Sequence, residues 1–198
     1  MEKKFILTDK FVINSFGIKL FQIKCTKSFK YAQKGDFGGY VEKEGNLDQE
    51  NDAWVSGNAW VSDNARVSGD AWVSGDAWVS DNAWVSGNAR VFGNARVSGN
   101  ARVSGDAWVS GNAWVSGDAD IENDNEHCGF DGFGSCNRHT HAYMTKEKKV
   151  EIICGCFRGS IEEFEKKVEE THSGTVYEKQ YKSIINVIKI KFGLTDFT

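Results

Sequence analysis

From Asn51 to Ile121 the chain repeats itself every six residues. A β-branched aliphatic stands at Val55, Val61, Val67, Val73 and onward to Val115 and Ile121, twelve times without a slip, and alanine stands two residues before each, from Ala53 to Ala119. So short a period excludes helix pairs and leucine-rich units, which need about 20 residues or more. Within A-W-V or A-R-V, Ala and Val share one side of an extended backbone and the residue between them takes the other. Ser, Gly, Asn and Asp fill the remaining positions, save for Phe92 at one Ser position; Gly, Asn and Asp tolerate positive φ, while Ser and Asn bond their own backbone. Each hexapeptide is therefore a short strand and a corner, and three make a triangular coil of 18 residues. Twelve repeats give about four coils, a prism roughly 20 Å tall at a strand spacing of ~4.8 Å.

The position between Ala and Val decides which side faces in. It holds Trp seven times, Arg four times and Asp once. An unpaired charge cannot replace Trp in a dry core. Ala and Val must fill the axis, and Trp and Arg must stand on the outer walls. Stacking residues 18 apart gives a first wall of Trp54, Trp72, Arg90 and Trp108. The second wall carries Trp60, Trp78, Arg96 and Trp114; the third carries Arg66, Trp84, Arg102 and Asp120. Such columns allow indoles to stack and guanidinium groups to lie over them.

The pattern V-S-G-N-A-W resembles the hexapeptide signature of left-handed parallel β-helices. Left-handedness is implied by that resemblance alone, since ordinary crossover rules favour the right hand. The expected class is mainly β: a left-handed parallel β-helix of about four 18-residue coils over 51–121. An N-terminal β cap over 1–50 precedes it. An irregular, glycine-rich linker over 122–138 and a C-terminal ββαα cap over 139–198 follow. Residues 4–27 read as a β-meander, and the next stretch holds one approximate hexapeptide, Val41 to Leu47, before a two-residue slip into the regular frame. An open coil end is a sheet edge prone to pairing, and the first cap is expected to cover it. Ser160 to Glu163 and Thr175 to Glu178 read as capping boxes that open two helices, the second running to about Lys191.

Composition narrows the function. Net charge is −4, and residues 51–120 carry all of it, so the basic footprint of a nucleic-acid binder is absent. No apolar run is long enough for a membrane span, and MEKKFILTDKFVINS lacks a small-residue cleavage site, which predicts a soluble cytoplasmic protein. Five cysteines, odd in number and unevenly spread, suit free thiols better than a disulfide framework.

The segment Gly35, Asp36, Gly38, Gly39, Tyr40, Val41 and Glu42 resembles the GD-x-GG-[YF]-[IV]-E entry to hexapeptide coils in a group of bacteriophage and prophage accessory proteins. The stretches CGCFRGSIEEFEKKVEETH and YEKQYKSIINVIKIKFGL extend the likeness. It implies a protein of the bacterial host cytoplasm, often labelled polymer-forming or cytoskeletal-like, with no assigned reaction. Some small phage accessory proteins inhibit host defence systems.

Trp and Arg are enriched in interface hot spots, and columns of Trp exceed the apolar patch most monomers expose. The expected function is therefore non-enzymatic protein binding, to a host macromolecule or to a second copy of the chain. Its expected residues are Trp54, Trp60, Trp72, Trp78, Trp84, Arg90, Arg96, Arg102, Trp108 and Trp114, with the first two walls preferred. Two other classes compete. A hexapeptide acyltransferase needs a loop expelled from the coil and a histidine beside it, yet no His precedes His127 and no insertion interrupts Val55 to Ile121. A self-assembling scaffold needs an exposed, self-complementary surface. No cofactor is expected. Cys128, Cys136, His139 and His141 are ligand types that suit zinc, but their spacing lacks the C-x2-C knuckle, and packing inside the cap is the simpler reading.

Overall fold

The computed structural model describes residues 2–194; Met1 and 195–198, the outer ends of the two expected caps, lie outside the described residues. Strands β1 (Phe5–Ile13), β2 (Lys19–Cys25) and β3 (Phe37–Val41) come first. Twelve two-residue strands follow, from β4 (Trp54–Val55) to β15 (Asp120–Ile121), one per hexapeptide. They stack as three parallel sheets in which each residue lies over the one 18 positions later, Arg90 on Trp72 and Val91 on Val73, for example. The molecule is thus a parallel β-solenoid. Its coil-to-coil bonds are regular: Trp72 N–H donates to Ala89 O at 2.9 Å and Ser74 N–H to Val91 O at 2.9 Å.

The axis is filled as the charge argument requires. Each repeat's alanine and each repeat's valine, with Ile121, is buried in one continuous cluster. Residues so small let the three walls approach closely, and the absence of longer side chains keeps the coil narrow and uniform. At the corners the second turn residue takes a left-handed conformation. Gly75 (φ 69°) and Gly93 (φ 73°) stack there, and a Cβ on Gly75 would lie 2.9 Å from Gly93 N. Asp63 and Asp81 adopt the same conformation (φ 58° and 57°). Asparagine side chains bridge the coils between corners: Asn64 Nδ2 donates to Asn82 Oδ1, Asn82 to Asn100, and Asn100 to Asp118. The ladder ends in a carboxylate because its last member needs only to accept.

The solenoid is longer than the repeat alone suggests. Strand β3 pairs in parallel with β5 (Trp60–Val61), placing Val41 over Val61, and Leu47 bridges Val67. About five turns result, instead of the four coils expected, because Val41 and Leu47 supply the aliphatic layer of a degenerate first turn. The two extra residues fall between Leu47 and Val55, where Asn51 turns left-handed (φ 49°). The buried Lys4 ammonium fills this corner and donates to the carbonyls of Glu50, Asn51 and Ala53 at 3.1, 3.1 and 2.8 Å. Backbone acceptors at an open edge would otherwise be orphaned.

Strands β1 and β2 extend the second wall into a seven-stranded sheet ordered β1-β2-β3-β5-β8-β11-β14, where β8 is Trp78–Val79, β11 Arg96–Val97 and β14 Trp114–Val115.

The C-terminal cap departs from its expected form. Residues 122–138 are not an irregular linker: β16 (His127–Phe133) occupies most of them and pairs antiparallel with β17 (Arg138–Met144). With β18 (Val150–Cys154) and β19 (Phe157–Ser160) this makes a four-stranded sheet, so the cap is ββββαα rather than ββαα. Three glycines hide the strand from a pattern search. Gly129 leaves room for the His139 ring, which a Cβ there would meet at 2.7 Å, while Gly132 and Gly134 sit at positive φ around the bulge and turn. Helices α1 (Ile161–His172) and α2 (Val176–Lys191) cover the outer face through Phe164, Val168, Ile184, Ile185 and Ile188. No described helix is long and apolar enough to cross a membrane.

Candidate functional site

The three walls are not equivalent, although their sequences nearly are. On the first wall Trp54 is only 2% exposed. It points outward by strand alternation, but the N-terminal loop lies over it, with the Phe29 ring edge-on at 5.3 Å. Tyr31 stacks flat on Trp72 (5.6 Å, 13°), and the Trp72 indole N–H donates to Ser56 Oγ at 2.8 Å. The upper half of the wall expected to bind is therefore closed by the chain itself, and Trp54 has no free surface to offer. Below, Arg90 lies between Trp72 and Trp108, 5.9 and 4.9 Å from their ring centroids, and Trp108 remains 48% exposed.

The third wall is sparser. Arg102 covers Trp84 at 4.7 Å, the Trp84 indole donates to Ser68 Oγ at 2.9 Å, and Arg66 is exposed above them.

The second wall is the most continuous. Tyr40 heads its column, in register with Trp60, followed by Trp78, Arg96 and Trp114. Trp60 and Trp78 stack at 4.4 Å and 16°, and the Arg96 guanidinium lies 4.4 Å from the Trp78 ring on its other side. The rings thus cover one another's faces and turn their edges outward. Trp114 closes the column and is 39% exposed. Beside the column runs a groove of about 390 Å³. The indoles form one side, Ser80, Ser98, Asp63 and Asp81 the opposite corner, and Asn14, Phe16 and Ile18 of the β1–β2 hairpin tip overhang it. Phe16 is 76% exposed. Sequence reasoning missed Tyr40 and this hairpin tip. Tyr40 occupies the same place in the imperfect first hexapeptide as Trp in the regular ones, which was a usable signal; the tip's position over the wall depends on tertiary packing and left none.

The histidines sit elsewhere, between the cap sheet and the last coil. Buried His141 points at the solenoid, where its Nδ1 lies 2.9 Å from Trp114 O. A carbonyl only accepts, so Nδ1 carries the proton, and Nε2 must accept from His127 Nδ1 at 3.1 Å. Burial pushes the His141 pKa down to about 3, and burial also lowers that of His127. His139 Nδ1 pairs with Asp131 Oδ1 at 2.8 Å, and this hydrogen bond holds the Asp131 carboxyl below its ordinary range. Asp131 also accepts from Asn112, so a corner ladder of the solenoid runs into the cap. His127 and His141, both held toward their neutral form by burial, pin the cap sheet to the last coil. His172 lies apart, stacked on Tyr181 at 5.5 Å.

The zinc-type set is divided by strand alternation. His139 and His141 face the solenoid, whereas Cys128 pairs with Ala142 and packs toward the helices, where burial raises its thiol to about 11. Cys136 is exposed in the β16–β17 turn. Among the described residues no group of three or more His, Cys, Asp or Glu side chains is arranged to hold a metal ion.

The family described as the YdcK beta solenoid repeat matches residues 59–75, 83–99 and 95–111. The likeness lies wholly within the regular coils, covers less than half of the chain and includes neither cap. No curated protein matches the chain.

Proposed function

We propose that this chain is a non-enzymatic binding protein that takes a protein partner on the second wall of its solenoid. The observation that carries the reading is the groove between the Trp60–Trp78–Arg96–Trp114 column and the hairpin tip. Indole and guanidinium groups held in register by a rigid ladder lose little rotamer freedom on binding, which favours them as anchors. Phe29 and Tyr31 close the upper half of the first wall and leave only Arg90 and Trp108 below, so the continuous column of the second wall is the preferred face. The phage-type resemblance of the Gly35–Glu42 segment extends the reading to an accessory protein directed at a host macromolecule, with inhibition of a defence system as one such role.

The competing classes fit the geometry less well. An acyltransferase needs a basic imidazole in an open groove, and the buried pair His127 and His141 bond each other and a backbone carbonyl. End-to-end assembly needs open coil edges. Here Lys4 and Asn46 occupy the acceptors at one end, and His141 and the Asp124 carboxylate, which accepts from Trp108 N–H at 2.7 Å, serve the other.

The test is capture from a bacterial lysate by wild type and by Trp78→Ala/Trp114→Ala, with circular dichroism to verify the fold. A protein retained by wild type should be reduced at least tenfold by the double variant. Equal retention by a folded double variant would remove the second wall from consideration.

A further inference from the structure

We infer that the groove on the second wall takes a lysine- or arginine-bearing polypeptide segment, its aliphatic stem against the Trp60 and Trp78 indoles and its cationic head on Asp63 and Asp81. The inference rests on the reading of this wall as the binding face and adds the chemistry of the partner.

Three observations lead to it. The first is a carboxylate column running along the groove corner. Glu42 accepts from Asp63 N–H at 2.5 Å, Asp63 from Asp81 N–H at 3.4 Å, and Asp81 from Gly99 N–H at 2.9 Å. Asp63 and Asp81 stand where other corners carry glycine, in a left-handed conformation that disfavours a side chain. A carboxylate has about four acceptor directions, and Asp81 engages one of them, so acceptor capacity remains toward the groove. The second observation is the opposite side. Because Trp60 and Trp78 stack face to face, they present an apolar rim rather than an open ring face. That suits the methylene stem of Lys or Arg better than a planar ligand needing a free ring. The third is charge: residues 51–120 carry eight Asp against four Arg. The guanidinium in this groove, Arg96, already lies on Trp78, leaving the carboxylate column as the unneutralised side. Phe16 and Ile18 close the groove above and would hold the segment's flanking residues.

The experiment is titration of the full chain with penta-arginine and penta-lysine peptides at low salt, followed by tryptophan emission and calorimetry, with penta-glutamate as the reverse-charge probe. Asp63→Asn/Asp81→Asn removes the two charges while asparagine keeps an acceptor oxygen and tolerates the left-handed backbone. Asp76→Asn/Asp106→Asn removes as much charge from other corners. Saturable binding of a basic peptide, weakened at least tenfold by the first double variant, at most twofold by the second, and also weakened by Phe16→Ala, is expected. No binding, or equal loss in both double variants, would overturn the inference, the latter by showing general attraction to an acidic surface. If basic peptides fail while Trp78→Ala/Trp114→Ala still abolishes partner capture, the cationic ligand is wrong and the second-wall reading stands.

Discussion

Gly38→Ala is expected to destabilise the protein by about 3 kcal/mol, a fall of roughly 10 °C in melting temperature. A Cβ at Gly38 would lie 2.6 Å from Val55 O, 2.6 Å from Ile23 Cγ1 and 2.7 Å from Trp54 Cζ2. None of these is the free end of a flexible side chain: one is a backbone carbonyl of the solenoid, and the other two belong to fully buried residues. Gly39 is similarly pressed, 2.7 Å from Ala59 O. The glycine pair is what lets β3 lie directly on the first regular coil and become its neighbour in the sheet. Gly45→Ala, where an added Cβ meets nothing within 4 Å, serves as the comparison and should be close to neutral. Denaturant midpoints within experimental error of each other for the two variants would contradict the packing argument.

The Gly38 site also shows where reading the sequence stops. The hexapeptide period, the inward alanine and valine and the outward Trp and Arg follow from local alternation and the penalty on buried charge, and each residue from Ala53 to Ile121 sits accordingly. The two helices were legible for the same local reason. Ser160 Oγ accepts from Glu163 N–H while the Glu163 carboxylate accepts from Ser160 N–H; at the second helix only half of the expected box forms, Thr175 Oγ1 accepting from Glu178 N–H while the Glu178 carboxylate accepts from Gly174 N–H. What was not legible depends on contacts across long separations. Nothing in the residues around Trp54 announces that Phe29 will cover it. Nor does the glycine-rich run before Arg138 show alternation, since the side that faces His139 carries a glycine where a strand pattern needs a side chain. Even so, the first turn left a trace in Val41 and Leu47, six residues apart and out of frame by two. The candidate site divides likewise: its indole and guanidinium ladder was readable as periodicity, while its hairpin overhang and the covering of the upper half of the first wall arise from the way the N-terminal strands and loop fold back.

Acidification should weaken the molecule before its carboxylates titrate, because His141 is locked in its neutral form. Its Nδ1–H donates to Trp114 O and its Nε2 accepts from His127, so an added proton would place two N–H donors against each other in a buried site. Burial, the largest cause, holds its pKa at about 3, against 6.5 for an exposed imidazole. Between these values the unfolded chain binds a proton that the folded chain refuses, so stability is complete above pH 6.5 and falls as pH drops toward 3. By linkage the loss from this one group is about 2 kcal/mol between pH 7 and pH 5. His127, also lowered chiefly by burial, acts in the same direction, tempered by the Asp124 carboxylate 3.8 Å from its Nε2. The carboxylate of Asp131, held below its ordinary 3.8 by the hydrogen bond from His139, takes no part in the loss between pH 7 and pH 5. His141→Gln retains an amide donor for Trp114 O but cannot titrate, and should flatten most of the slope while costing some stability at neutral pH. Urea midpoints at pH 7 and pH 5 for both proteins decide the matter: the wild type is expected to lose about 2 kcal/mol more than the variant over that interval. Parallel losses would mean that the proton goes elsewhere and that the histidine junction does not control the docking of the cap onto the last coil.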